Sequence, residues 1–164
     1  MSDDRYLKLA HFGRELLAKR SLEEGLPLIS KYVKEVIKAE RCSIFIYDEE
    51  TKELWTTLAD GVDRIKVSAD EGLVGKTIKE RKPLKADDAY RHPYFLRDID
   101  KETGYITHNI ITAPIFSSSR NIIGVLELLN KESGFENEDI KFMIFFAHYI
   151  SGFIELQKTQ TKGE

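Results

Sequence analysis

The chain has 164 residues, 41% hydrophobic and 10% aromatic, and its 25 Lys and Arg nearly balance 28 Asp and Glu for a net charge of -3. That composition excludes a disordered chain, and the balance of charge excludes a duplex nucleic-acid binder, which needs many clustered cations. The single cysteine, Cys42, rules out an internal disulfide, and no apolar run approaches the ~18 residues of a membrane helix, so a cytoplasmic protein without membrane contact is expected.

Tyr6, Leu9, Gly13, Leu16 and Leu17 recur at helical spacing and predict a helix over residues 4–19. Leu22, Leu26, Ile29, Val33, Val36 and Ile37 predict a second over 21–39, opened by Ser21 and Glu24 as a capping box. The period then shortens to two. Cys42, Ile44 and Ile46 fall on one face and Ser43, Phe45 and Tyr47 on the other, which predicts a strand over 41–47. A turn at 48–52 leads to a returning strand over 53–58, and after Asp60-Gly61 a short strand is expected at 64–68.

Residues 72–81 read as a helix ended by Pro83, and the basic run over 76–85 alternates with apolar residues as a solvated helix face does. From Asp87 to Asn109 the chain is polar and irregular yet holds Tyr90, Tyr94, Phe95 and Tyr105, the pattern of an ordered lid. Strands over 110–116 and 122–129 follow, joined by the turn Ser117-Ser118-Ser119-Arg120-Asn121. The last helix begins at Asn137, with Glu138 and Asp139 suiting its positive end, and is expected to reach about Lys158. Its stretch 142–146 is apolar round most of the circumference, whereas one buried stripe needs only a ~100° arc, so a dimer partner is expected as a second neighbour.

This order of elements, with short connections, predicts an α+β fold with an antiparallel sheet. Four segments give it a family likeness: Arg41-Cys42-Ser43-Ile44-Phe45, Ala69-Asp70-Glu71-Gly72-Leu73-Val74-Gly75, Asp88-Ala89-Tyr90-Arg91-His92-Pro93-Tyr94-Phe95, and Gly124-Val125-Leu126-Glu127-Leu128-Leu129-Asn130-Lys131. Over residues 22–156 the chain resembles a GAF domain. The third segment, with Asp100 to Tyr105 after it, is similar to the cyclic-nucleotide-binding GAF domains of phosphodiesterases and adenylyl cyclases. The resemblance implies a central antiparallel sheet of about six strands, helices on both faces, and long terminal helices. Residues 1–20 are then an N-terminal helix used for dimerisation, 21–158 the GAF domain, and 159–164 a tail or the start of a linker.

The function implied is non-catalytic. A cyclic nucleotide, cAMP in preference to cGMP, is expected to bind without a cofactor and to control an attached or partner enzyme such as a diguanylate cyclase, phosphodiesterase or histidine kinase. A homodimer through the terminal helices is expected. The start of the helix at Gly72 offers the N–H groups of Leu73 and Val74 to the phosphate. By resemblance, Asp60 contacts the base edge, Ser43 and Glu127 fix base or sugar, and Asp100, Thr103 and Thr107 close from the lid. Glu127 is also conspicuous by itself, a lone acid inside an apolar strand.

Ala59 stands where relatives that bind cGMP place an aromatic ring, so stacking must come from Phe45, Tyr94 or Tyr105, or from aliphatic side chains. Lys131 and Asp139 are implied to form a structural ion pair, with Ile140 where a second acid is usual. His11, His92, His108 and His148 share no metal-ligand spacing. The rival expectation is a GAF domain that binds nothing and serves as a dimerisation module. Reduction of free methionine sulfoxide, known in some GAF-like proteins, is set aside because one cysteine within a strand cannot be resolved by another thiol.

Overall fold

In the computed structural model, which describes residues 3–56, 66–96 and 104–162, local chemistry sets most of the element boundaries. Helix α1 spans Asp3–Leu17 and helix α2 Leu22–Ile37. Ser21 caps α2, its hydroxyl accepting from Glu24 N at 3.2 Å, but the Glu24 carboxylate reaches back to Arg20 N at 2.9 Å. The expected box is thus stretched by one residue at its return bond. Lys38, at φ 69°, ends α2 and turns the chain directly into strand β1, Ala39–Asp48.

Strands β2 (Glu53–Trp55) and β3 (Lys66–Ser68) extend the sheet from β1, and helix α3 (Gly72–Glu80) follows. The returning strand is shorter than expected, ending at Trp55, and the rest of that prediction runs into undescribed residues. Strand β4, Leu84–Ala86, was not expected, because three residues are too few to show a period. A single 3-10 turn at Ala89–Arg91 comes next. Strand β5 is Ile110–Phe116, β6 is Ile122–Lys131, and helix α4 is Asn137–Lys162.

The six strands form one antiparallel sheet in the order β3-β2-β1-β6-β5-β4. At its centre β1 pairs with β6 from Ala39↔Lys131 to Ile46↔Gly124. A side chain at Gly124 would put its Cβ 2.6 Å from the Phe45 carbonyl oxygen, so only glycine allows this approach. Pro114 sits in β5 beyond the stretch that β4 covers, where its missing N–H removes no ladder bond to that neighbour.

Helices α2 and α4 cover one face of the sheet, and α1 packs against both of them. Cys42, Ile44, Ile46, Leu126 and Leu128 pack there with Ile29, Val33, Met143, Phe146 and Ile150 in one continuous cluster. Phe12 of α1 stacks on Tyr32 of α2 at 4.4 Å, and Phe146 of α4 lies 5.5 Å from each. Tyr149 donates its hydroxyl proton to Leu9 O. The second neighbour that α4 needs is therefore supplied in part by α1 of the same chain. Ile144, Phe145 and Leu156 of α4, and Leu17 at the end of α1, stay exposed. Helix α3 lies on the opposite face, where Ala89 of the 3-10 turn packs with its Leu73. Among the described residues no helix is long and apolar enough to cross a membrane.

Candidate functional site

Alternation along β1, β6 and β5 sets three polar side chains in one row on the α3 face. Ser43 pairs with Glu127, and Glu127 pairs with Thr112. Ser43 and Thr112 are buried and Glu127 is half-buried. On one side of the row Phe45 and Val125 belong to an apolar cluster, and on the other Ile110 and Leu129 belong to a second. Helix α3 bridges the two: Val74 enters the first cluster and Leu73 the second.

One turn beyond Leu73, the Thr77 hydroxyl donates to Leu73 O at 2.9 Å and lies 2.5 Å from the Thr112 hydroxyl. With its own proton committed, Thr77 accepts from Thr112, which in turn accepts from Leu84 N at 3.3 Å. Sequence reasoning passed over both threonines. Thr112 interrupts the apolar run of β5 as Glu127 interrupts that of β6, and this parity was the available signal.

The start of α3 is open toward its N–H groups. Glu71 is extended and makes no side-chain capping bond, and Gly72 takes φ +70°. The first bond of the helix runs from Gly75 N to Glu71 O, which leaves the N–H groups of Gly72, Leu73 and Val74 without intrahelical acceptors. A Cβ on Gly75 would lie 2.5 Å from Ala69 O, so the turn at 69–71 is pressed beneath the helix. Leu96 and the Tyr94 carbonyl pass beside Gly72, and the Lys76 ammonium lies 4.7 Å from the centre of the Tyr94 ring. Tyr94 first, then Glu80 at 3.3 Å, holds the Lys76 pKa above the usual lysine range. A cation and an aromatic ring thus flank the helix start.

The outgoing limb of the lid is fixed by Asn130, at φ 61° and nearly buried. Its Oδ1 accepts from His108 N at 2.6 Å and Asn109 N at 3.2 Å, while its Nδ2 donates to Tyr105 Oη and Ile106 O, both at 2.8 Å. Every hydrogen-bonding position of the amide is in use. Asn109 returns the exchange with Lys131 N and O. Thr107 is buried within this limb. The Arg41 guanidinium lies 3.6 Å above the Tyr105 ring, and Tyr105 donates to Glu40 at 3.1 Å. Burial, and then Glu40, pushes the Tyr105 phenol up to about 12.

Of the three rings expected as stacking platforms, Tyr105 is thus committed at the start of β1 and Phe45 is packed with Val74 and Val125. Tyr94 is exposed beside the helix start. Next to Asn130, Lys131 Nζ donates to both oxygens of Asp139 at 2.8 and 3.0 Å, and Asp139 also accepts from Glu136 N. The pair ties the end of β6 to the first turn of α4. Ile140 packs partly buried against the helical core.

Ala59, Asp60, Asp100 and Thr103 lie outside the described residues. Cys42 is buried on the helical face, across the sheet from the polar row. Among the described residues no group of His, Cys, Asp and Glu is arranged to hold a metal ion. A groove of about 570 Å³ between α1 and α2, floored by Phe12 and Tyr32, also lies on the helical side.

Comparison with known proteins bears on this geometry. The GAF domain family profile matches residues 21–154. A probable 3',5'-cyclic phosphodiesterase, pde-5 of Caenorhabditis elegans, is 24% identical across 79% of this chain, which spans 20% of that protein's length. The GAF domain of an Acinetobacter phosphoenolpyruvate-protein phosphotransferase superposes with a TM-score of 0.83 at 21% identity, covering 99% of both chains. A free methionine-R-sulfoxide reductase from Neisseria meningitidis, solved with its substrate, gives 0.75 at 16% identity over 98% of this chain and 95% of that one. At these identities the structural likenesses speak for the fold alone.

Proposed function

The chain belongs to the GAF family, and from that premise we propose that it is a non-catalytic sensor of a cyclic nucleotide, cAMP before cGMP, bound on the α3 face of the sheet. The carrying observation is the in-register row Ser43, Glu127 and Thr112 lying beneath the uncapped start of α3. A cyclic nucleotide presents a phosphodiester anion, a ribose hydroxyl and a base edge with donors and acceptors. The N–H groups of Gly72, Leu73 and Val74, which have no acceptor within the helix, suit the anion, helped by Lys76. Ser43 and the Glu127 carboxylate suit the sugar and the donors of the base. Asp60, Asp100, Thr103 and Thr107 are assigned to the ligand by the family resemblance, and adenine is preferred because, lacking a donor at N1 and N2, it asks less of pocket carboxylates.

A ligand shifts such a domain only through unequal affinity for two states. The lid is the element proposed to respond, since its outgoing limb is tied to Asn130, the neighbour of the lysine that holds α4. Closing the lid pulls on Asn130 and Lys131 together, and α4 carries the change to an attached or partner signalling enzyme. In this reading the protein works in the cytoplasm as a homodimer through its terminal helices.

Calorimetry against cAMP, cGMP and a cyclic dinucleotide tests the proposal. Micromolar or tighter binding of cAMP is expected, about -8 kcal/mol. Glu127→Leu should weaken it about tenfold or more. Heatless titrations with all three would favour the second reading, a dimerisation module without ligand. That reading has its own support in the exposed Leu17, Phe145 and Leu156 on the terminal helices.

A further inference from the structure

At the far end of β5 and β6 from the lid, two backbone positions that favour glycine are occupied by arginine. Arg81 ends α3 at φ 58°, and Arg120 lies in the β5–β6 turn at φ 67°. Side chains are disfavoured in this left-handed region, and such positions direct attention to function. Both guanidinium groups converge on one ring: their Cζ atoms lie 5.1 and 5.8 Å from the centre of Phe116. Arg81 also donates to Arg120 O at 2.7 Å, which fixes its fork in place. From α4, the His148 ring stacks on the same phenylalanine at 6.3 Å.

Neither arginine has a carboxylate partner among the described residues. Two acids close by are engaged elsewhere: Glu80, next to Arg81 in the chain, pairs with Lys76 and Lys82, and Glu155, which reaches the β5–β6 turn, accepts from both Ser118 N and Ser118 Oγ. Two like charges are therefore held over one ring with no ion-pair partner among the described residues. One turn before His148 on the same helix face, Ile144 is 40% exposed and adds an apolar contact.

We propose that Arg81, Arg120, Phe116, His148 and Ile144 form a docking surface for an acidic segment of a partner protein. Planar guanidinium forks take carboxylates through paired hydrogen bonds, and two of them match two neighbouring Asp or Glu side chains. Nucleic acid fits less well, since two arginines neutralise too few phosphates in a chain of net charge -3. The surface is separate from the polar row beneath α3, and its success or failure leaves the nucleotide reading untouched.

Fluorescence anisotropy of the full chain with a short fluorescein-labelled peptide of alternating Glu and Leu tests it. Salt-sensitive binding is expected, and it should fall about tenfold or more in Arg81→Gly/Arg120→Gly. That variant should melt no lower than the parent, because glycine accepts both backbone conformations more readily. Arg81→Gln/Arg120→Gln, which keeps a side chain at each position, should lose binding equally. Absence of binding by the parent, or equal binding by either double variant, overturns the proposal. Tighter binding of a phosphoserine peptide or a single-stranded oligonucleotide overturns the choice of a carboxylate partner.

Discussion

The two faces of the sheet are built on different terms. Beneath α1, α2 and α4 a single unbroken apolar cluster runs from Leu9 to Ile154. Beneath α3 the apolar residues divide into two smaller clusters, with Ser43, Glu127 and Thr112 in line between them. Filling that row with leucine and valine would join the clusters and bury more apolar surface. A domain that leaves polar groups there forgoes stability on that face, and the helical face has to supply it.

The sharpest way to break this comparison is Phe146→Ala. Phe146 is 0% exposed and lies against Phe12, Tyr32 and Phe142. Truncation should cost about 3–5 kcal/mol by chemical denaturation, combining lost transfer energy with a cavity. A loss below about 1 kcal/mol would mean the helical face is looser than its packing implies. Next in size is Asn130→Ala, which strips partners from His108 N, Asn109 N, Tyr105 Oη and Ile106 O at once. A loss of about 2–3 kcal/mol is expected. Hydrogen exchange should show the effect concentrated at residues 105–109, sparing the α2–α4 core.

On the α3 face the matching experiment is Thr112→Val. The hydroxyl gives up its bonds to Thr77 and Leu84, but Thr77 keeps its bond to Leu73 O. A loss of about 1 kcal/mol is expected, well short of Phe146→Ala. Parity between the two would erase the distinction between the faces.

The sequence made the framework readable because its signals were long. The period-two alternation of β1 separated Cys42, Ile44 and Ile46 from Ser43, Phe45 and Tyr47, and the structure puts the first set in the helical core. The family and the α+β architecture followed from motifs spread over most of the chain. β4 escaped notice because its three residues carry no period, and Arg81 and Arg120 because their meaning lies in backbone angles. The hub at Asn130 was quoted within a motif, but its partners at 105–109 come near only once β5 and β6 pair. Thr77 and Thr112 illustrate the same limit: each is an ordinary residue until a helix crosses a strand.

An effect of similar size, but dependent on pH, belongs to Tyr105, at the junction of lid and sheet. Its phenol is held at about 12 against the ordinary 10.0, foremost by burial and then by Glu40. Below about pH 10 the proton is bound in both folded and unfolded chains, and the stabilisation is fully present. Between about 10 and 12 the unfolded chain has released it while the folded chain retains it, so stability falls as pH rises. Tyr105→Phe keeps a ring for Arg41 but loses the bonds to Glu40 and Asn130, costing about 1 kcal/mol at neutral pH. Its stability should decline less steeply across that alkaline window. Tyrosinate absorbance should likewise lose a late-ionising component from among the seven tyrosines. If parent and variant titrate alike, Tyr105 is not held by this junction, and the lid limb is anchored through the Asn130 amide alone.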